Sequence, residues 1–321
     1  MKLQLAGLAL VLGLAACGSG EAPFGNPDTG GGGETPGDGT APIPDELAGT
    51  LQSFSYDPAN QTLSIRGIVG DNNAIDGAYR RRPALDRGGY EAYTAQDASN
   101  GRHSTVYVRD INGTRAAVVA TGGQYENIYA GGAYSNTSYS PRVAPGSTDP
   151  DSGLVYYTGR YVGLLNGPGS NEDVTPPNPD EDPSVLTRQA AEVTGDMQMT
   201  ADFATAQVGG IIYNRVVADY NSDGRYDPNS ADPLLATDVA LEGTGINADG
   251  TFLGTAEQNN QSVGEYGGIF GGTGATEVAG VVHVENHIAQ VNNEIEHGVF
   301  VLSECTPPLS GPECNLAPAT P

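Results

Sequence analysis

The chain has 321 residues, and its 39 Asp and Glu against 14 Lys and Arg give a formal net charge of −25. This acidity argues against nucleic acid as a partner and against electrostatic binding to anionic lipid, because both carry the same sign of charge. Glycine is frequent, tryptophan is absent and long helical patterns are missing. The sequence therefore predicts an all-β protein built from short strands and turns.

The N-terminus has the pattern of a bacterial lipoprotein signal. Lys2 precedes an uncharged apolar run over residues 3–14, which is shorter than the ~20 residues of a transmembrane helix but suits a signal peptide. The run closes as Leu-Ala-Ala-Cys-Gly over residues 14–18, with small residues before the cysteine where a signal peptidase cuts. We therefore predict a signal peptide over residues 1–16, acyl lipidation of Cys17 and a lipid-anchored location at the outer membrane.

Two regions of different composition follow the signal. Residues 17–47 are rich in Gly, Pro, Asp and Thr, so we predict a flexible tether there. Residues 48–150 predict a small β domain, in which Asn112–Gly113 is the strongest hairpin signal. The range Arg80–Arg82 is the only basic cluster of the sequence, and it is either a solvated loop or a contact to a carboxylate or phosphate. The strand candidates of this domain are residues 50–56, 61–68, 90–94, 104–109 and 114–120.

Residues 151–305 show a regular succession of strands and short turns. Short turns such as 247–250 force neighbouring strands to be antiparallel, and sequential antiparallel strands close most economically as an up-and-down barrel. The stretch 166–186, rich in acidic residues and proline, is predicted as a long exposed loop. We predict an eight-stranded barrel with strands at residues 154–165, 190–203, 207–217, 237–246, 251–257, 264–271, 277–285 and 297–303.

The two cysteines near the C-terminus predict a disulfide. With Cys17 assigned to lipid, Cys305 and Cys314 remain as an even pair in an oxidising compartment. We predict that their bond closes a C-terminal tail over residues 306–321. A metal site at this pair would need further thiols, which the sequence lacks.

Several glycine-rich strands of the predicted barrel resemble those of transferrin-binding protein B and its bacterial relatives. The matching segments are Tyr157–Gly163, Thr200–Phe203, Val208–Ile211, Gly250–Gly254, Glu265–Gly272 and Glu277–Gly280. Their order and spacing carry the resemblance, which implies the barrel, display at the cell surface and a role in acquiring iron, haem or metal. This sequence departs from the family in two ways. The family's receptors repeat a handle-plus-barrel unit twice whereas this chain has room for one, and no transferrin-contacting loops are recognisable.

The segment 219–227 matches the start of a calcium-binding loop. Alternate positions supply oxygens, and the glycine at position 224 permits a sharp turn. The closing Glu is missing, because Ser230 stands at the twelfth position, and the flanks predict strands rather than helices. The alternative is a polar hairpin loop, since Asp, Asn and Gly are also common turn residues. The candidate ligands are Asp219, Asn221, Asp223, Arg225 through its carbonyl, and Asp227.

A second candidate site combines histidines and a carboxylate. His283, Glu285 and His287 share one face of a strand at period two, and His297 lies across the presumed hairpin. These side chains are suitable ligands for a metal or for haem. The alternative is that they mark the outside of the barrel, because the valines between them take the opposite face.

The sequence contains no nucleophile motif such as Gly-x-Ser-x-Gly and no phosphate-binding loop before a helix, so we predict that the protein is not an enzyme. The resemblance implies a surface lipoprotein whose barrel binds an iron- or haem-carrying protein, haem or another solute destined for an outer-membrane transporter. The alternative is a structural or adhesive envelope lipoprotein that binds a protein partner and no small ligand. Apart from calcium and the metal or haem set, no cofactor is predicted.

Overall fold

The structure is a computed structural model, and the predicted signal peptide, Cys17 and most of the predicted tether lie outside the residues it describes. Most of the predicted tail after Cys305 lies outside them as well. Within the part of the chain that is described, no helix has the length and hydropathy needed to cross a membrane. The structure describes residues 43–68, 77–123, 128–143, 153–176, 179–180, 182, 186–305 and 314.

The first β region forms a seven-stranded antiparallel sheet in which each strand pairs with its neighbour in sequence. Asn112 and Gly113, both at positive φ, make the tight turn between two of the strands, as the hairpin signal predicted. The strands are β1 (Ser53–Asp57), β2 (Thr62–Arg66), β3 (Gly77–Arg81), β4 (Glu91–Ala95), β5 (Ser104–Ile111), β6 (Thr114–Thr121) and β7 (Ala130–Ser135). The strands β3 and β7 were absent from the sequence prediction.

The second region confirms the predicted eight-stranded up-and-down barrel. Each of its strands pairs antiparallel with its neighbours, and the last strand pairs with the first to close the barrel. After β8 (Tyr139–Ser140), the barrel strands are β9 (Leu154–Pro168), β10 (Ala190–Asp202), β11 (Gln207–Asn221), β13 (Val239–Gly245), β14 (Thr251–Gln258), β15 (Gln261–Thr273), β16 (Glu277–Glu285) and β17 (Ile295–Glu304). A short strand outside this set, β12 (Pro233–Ala236), pairs with the second half of β11.

Aromatic and apolar side chains fill the interior of the barrel. The ring of Phe270 lies 5.0 Å from Phe203 and 5.3 Å from Phe252 between ring centroids, in tilted or edge-on contacts. Such packing is how an eight-stranded interior is filled by side chains. The following inward residues are at most 2% exposed: Tyr157, Tyr161, Met197, Met199, Phe252, Tyr266, Phe270 and Phe300.

A second core joins the first sheet to the outer wall of the barrel. Val162, Val281 and Val299 point outward from β9, β16 and β17 and pack in one buried cluster with Tyr93 and Val118 of the first sheet. The link is also polar. The Tyr90 hydroxyl donates to the Arg160 carbonyl at 2.9 Å, and the Val301 N–H donates to the same hydroxyl at 2.8 Å. One tyrosine thus bridges two barrel strands from the first sheet.

The folded part begins earlier than the predicted tether boundary at residue 47. A short helix, α1 (Asp45–Ala48), lies at its start, and Leu47 is 0% exposed. A Cβ atom on Gly267 of β15 would lie 2.8 Å from the Leu47 side chain, so the glycine leaves room for this leucine. Residues 43–47 therefore belong to the folded part and not to a tether, because Ile43 and Leu47 have apolar surface to bury.

The described part of the stretch 166–186 is also less exposed than the sequence predicts. Residues up to Pro168 continue β9. The Asp173 carboxylate contacts the first sheet, where it lies 2.7 Å from Arg82 Nε, 2.5 Å from the Thr94 hydroxyl and 3.2 Å from His103 Nε2. Three polar partners for one carboxylate hold the described part of this loop in place.

Cys305 and Cys314 form the predicted disulfide, with their Cα atoms 5.3 Å apart. We expect mass spectrometry of the unreduced C-terminal peptide from exported protein to show the bonded pair. Because the loop is short, changing both cysteines to serine should lower the free energy of unfolding by about 2–3 kcal/mol. Two free thiols in the exported protein would contradict this prediction.

Candidate functional site

An ion cluster lies inside the barrel near the end formed by the loops after β11 and β16. The Arg215 guanidinium donates from Nη2 to Glu296 Oε2 at 2.7 Å, and Nη2 also lies 2.8 Å from His287 Nε2. All three side chains are 0% exposed. Charged groups at this depth are costly unless they are paired, so this cluster is the most unusual feature of the interior.

Further hydrogen bonds tie the cluster to the surrounding strands. The Tyr161 hydroxyl donates to Glu296 Oε1 at 2.5 Å, and Arg215 Nη1 donates to the Thr237 carbonyl at 2.7 Å. The Ile288 N–H donates to Glu294 Oε1 at 2.6 Å, which holds the 286–294 loop against the same cluster. The cluster therefore connects β9, β11 and β17 with the loop that closes this end.

The charge state of Glu296 follows from its partners. Burial by itself would raise the pKa of this carboxyl, but the Arg215 charge and the hydrogen bond from His287 outweigh burial and lower the pKa to about 2. Glu296 is therefore ionised at neutral pH and forms a true ion pair with Arg215. Because these groups are buried, the cluster is part of the packed interior of the barrel.

Glycines make room for the cluster. A Cβ atom on Gly163 would lie 2.6 Å from Glu296 Oε1, and one on Gly298 would lie 1.9 Å from the Tyr161 hydroxyl. A Cβ on Gly195 would lie 3.2 Å from the Arg215 side chain. Some of the glycines in these strands therefore leave space for polar side chains, in addition to allowing strands to coil.

The four predicted metal or haem residues do not form one site, which corrects the sequence prediction. His283 and His297 face each other across β16 and β17 on the outside of the barrel, with their rings stacked at 4.4 Å. His287 instead lies inside the barrel. The period-two pattern fails because β16 ends at Glu285 and Asn286 turns the chain at positive φ. The alternative interpretation, that polar residues mark the outside of the barrel, holds for His283 and Glu285.

The stacked pair is neutral at physiological pH. Burial first, and then the neighbouring His283, lowers the pKa of His297 to about 4, and burial also lowers the pKa of His283. His297 Nε2 lies 3.2 Å from the Glu46 carbonyl and donates to it, so the pair also holds α1 against the barrel.

The segment 219–227 is closed by its own hydrogen bonds. Asn221 Oδ1 accepts the N–H groups of Asp223 at 3.2 Å and Arg225 at 3.0 Å, and the Arg225 carbonyl accepts the Asn221 N–H at 2.9 Å. Two of the predicted ligands are therefore engaged within a polar hairpin loop of the kind given as the alternative. Among the described residues, no group of three or more His, Cys, Asp or Glu is placed to hold a metal ion.

Calcium binding by this loop stays a prediction. A calorimetric titration with millimolar calcium on the wild-type protein and on Asp223→Ala tests it. Heat from the wild type and none from the variant would support a weak site with a Kd of ~10⁻⁴–10⁻³ M. If neither protein gives heat on titration, the loop is an acidic turn that does not bind calcium.

Two of the three arginines in the basic range Arg80–Arg82 form ion pairs within the chain. Arg81 pairs with Asp86 at 2.5 Å, and Arg82 pairs with Asp173 at 2.7 Å. These carboxylates belong to the chain itself, whereas Arg80 is exposed, so contact of this cluster with a carboxylate or phosphate of another molecule stays a prediction.

The sequence interpretation missed Arg215, Tyr161, Glu294 and Glu296. The usable signal was the run Glu294-Ile295-Glu296-His297, where a carboxylate at position 296 stands at the start of a strand whose centre, residues 299–302, is apolar. A strand that carries a carboxylate on its inward face needs a buried cation as its partner.

The comparisons with known proteins give structural neighbours only. No family model matches the chain, and no curated protein matches it. Two crystal structures of mutants of transferrin-binding protein B from Haemophilus parasuis Hp5 are similar, with TM-scores of 0.37 and 0.35 and sequence identities of 13% and 14%. The crystal structure of isotype 1 transferrin-binding protein B from serogroup B Neisseria meningitidis is similar as well, with a TM-score of 0.33 and a sequence identity of 13%.

These neighbours are longer than this chain. The matches cover 77%, 78% and 74% of this chain but 43%, 44% and 36% of the three neighbours in the same order. The similarity is a distant likeness of fold.

Proposed function

We propose that this chain is a lipid-anchored outer-membrane lipoprotein that binds a partner protein on its outer surface and catalyses no reaction. The observation that carries the proposal is the filled barrel. Aromatic side chains pack its interior, and the buried cluster of Arg215, His287 and Glu296 fills it near one end. A barrel filled in this way favours recognition on its outside over storage of a small ligand within.

The anchor is the second part of the proposal. Residues 1–17 carry the complete lipoprotein pattern, and the described residues contain no helix that could replace a lipid as the anchor. An acyl-modified Cys17 would display the folded part at a membrane surface. The acidic composition favours a partner with a basic face.

We expect Cys17→Ala to abolish membrane anchoring, because no acyl chain can then be attached. Cell fractionation and detergent partitioning of the variant and of the wild type measure this directly. Cys305→Ala, which also removes one cysteine, is the matched control and should still partition with the membrane. A Cys17→Ala protein that enters the detergent phase as fully as wild type would refute the anchor.

The finer proposal is that the partner serves iron, haem or metal acquisition. It rests on the glycine-rich strands that resemble transferrin-binding protein B, and it names an iron- or haem-carrying protein or an outer-membrane transporter as the partner. Growth of a deletion strain on protein-bound iron, compared with free iron, tests it. A growth defect on protein-bound iron alone supports the proposal, whereas unimpaired growth would favour the adhesive or structural alternative.

A further inference from the structure

The strand β12 has one unpaired edge. It pairs with β11 through Arg215↔Ala236, Val216↔Leu235 and Val217↔Leu234. On its other side, no strand within the described ranges pairs with it. An unpaired edge presents backbone N–H and C=O groups that can pair with a strand of another chain.

The same strand carries the most exposed large apolar side chain among the described residues. Leu235 is 67% exposed, whereas the next, Leu253 on β14, is 46% exposed. Burial alternates along β12: Leu234 and Ala236 are buried, whereas Pro233 and Leu235 face outward. The cross-strand partner Val216 is half-buried, so the apolar surface continues from the edge strand onto β11.

Acidic residues surround this edge. The segment 219–238 contains five aspartates and one arginine, Arg225, which gives a net charge of 1 − 5 = −4. Asp232 directly precedes β12 and Asp238 follows it by two residues, and both are exposed. A cation that approached either end of β12 would therefore meet a carboxylate.

We propose that the open edge of β12 docks an extended segment of a partner protein in which an apolar residue is flanked by Lys or Arg. This inference rests on the proposed function and specifies its surface and partner chemistry. Backbone pairing to β12 supplies the hydrogen bonds, Leu235 and Val216 receive the apolar side chain, and Asp232 and Asp238 receive the cations.

Two features make this edge selective. It is only four residues long and begins with a proline, which lacks an N–H, so backbone pairing alone is too short to hold an arbitrary strand. A second copy of this chain is a poor occupant, because two segments of charge −4 would meet at the interface. The apolar residue and the flanking cations must therefore both match.

The test uses the full-length lipoprotein in detergent micelles and a labelled, capped hexapeptide of alternating lysine and valine. Fluorescence anisotropy gives the Kd, and hydrogen exchange with mass spectrometry locates the protected amides. We expect Leu235→Ser to weaken binding about tenfold. Leu253→Ser, an exposed leucine on a strand that is paired on both sides, is the matched control and should leave the Kd unchanged.

The charge requirement has its own control pair. Asp238→Asn should weaken binding several-fold and reduce its dependence on salt, whereas Glu242→Gln, an exposed carboxylate change on β13, should not. A hexapeptide of alternating glutamate and valine, or the lysine–valine peptide with a central proline, should bind at least about tenfold more weakly. The protected amides should lie within residues 234–236, since Pro233 has no N–H.

Several results would overturn the docking site. These are equal affinity for the lysine and glutamate peptides, no loss of binding in Leu235→Ser, or protection confined to another part of the protein. A dimer in sedimentation experiments that Leu235→Ser dissolves would assign the edge to a second copy. Each of these outcomes leaves the anchoring test of Cys17→Ala untouched, so failure here is distinguishable from failure of the proposed lipoprotein function.

Discussion

Replacing Arg215 with methionine is expected to lower the free energy of unfolding by about 3–5 kcal/mol, because it leaves the Glu296 carboxylate buried without its cation. Both side chains are 0% exposed, so water cannot replace the lost partner. Urea denaturation followed by circular dichroism measures the loss. The charge, rather than the packing of a large side chain, should account for most of it.

A double-mutant cycle separates these two causes. Arg215→Met combined with Glu296→Leu should lose less than the sum of the two single losses, since no uncompensated ion then remains. Arg225→Met, an exposed arginine at the same barrel end, should change stability by less than about 0.5 kcal/mol. Strictly additive losses in the cycle would show that Arg215 and Glu296 do not act as a pair.

The protein is expected to lose about 3 kcal/mol of stability between pH 6.5 and pH 4 through His297 alone. Its pKa is about 4 in the folded protein, against an ordinary value of 6.5. As the pH falls below 6.5, the histidine binds a proton in the unfolded chain before it does so in the folded protein. Proton binding lowers the free energy of the unfolded state, so the free energy of unfolding falls. Below pH 4 both states are protonated and this contribution is constant.

Chemical denaturation at closely spaced pH values measures the effect, with His297→Gln as the comparison. Glutamine keeps a side-chain N–H for the Glu46 carbonyl but does not titrate, so its stability should fall less steeply over this pH range. The pKa of His103 is also lowered, mainly by burial, but His103 is unchanged in the variant, so the difference between the curves reports on His297 and its stacked neighbour His283. Parallel curves for wild type and His297→Gln would contradict the prediction.

The barrel could be predicted from the sequence because the features that specify its strands and turns lie close together along the chain. Turn residues separate the barrel strands, and the short connections between β10 and β11 and from β13 through β16 fix antiparallel neighbours. The strand β3 ends in the basic range, for which the sequence predicts a loop or a ligand contact. Arg81, at the end of this strand, pairs with Asp86, and Arg82, just after it, pairs with Asp173, and local patterning reveals neither ion pair.

The interior cluster could not be predicted because a bulge reverses the alternation of β11. Residues up to Tyr213 pair with β10 in one register and Val216 onward in another, and Asn214 between them has positive φ. Strict alternation from Ile212 would turn Arg215 outward, but the extra residue turns it inward, where Gly195 leaves space. This register shift of one residue places a guanidinium in the core, and the alternating pattern of the sequence does not reveal the shift.

The apolar cluster shared by the first sheet and the barrel wall means that the two sheets are not separable modules. A fragment of residues 151–305 would expose Val162, Val281, Val299 and Val301 as a contiguous apolar face to solvent. Such a fragment should aggregate, and the intact chain should melt in a single transition instead of sheet by sheet. For anyone grafting, truncating or displaying this protein, the smallest useful unit is therefore the whole body from Ile43 onward.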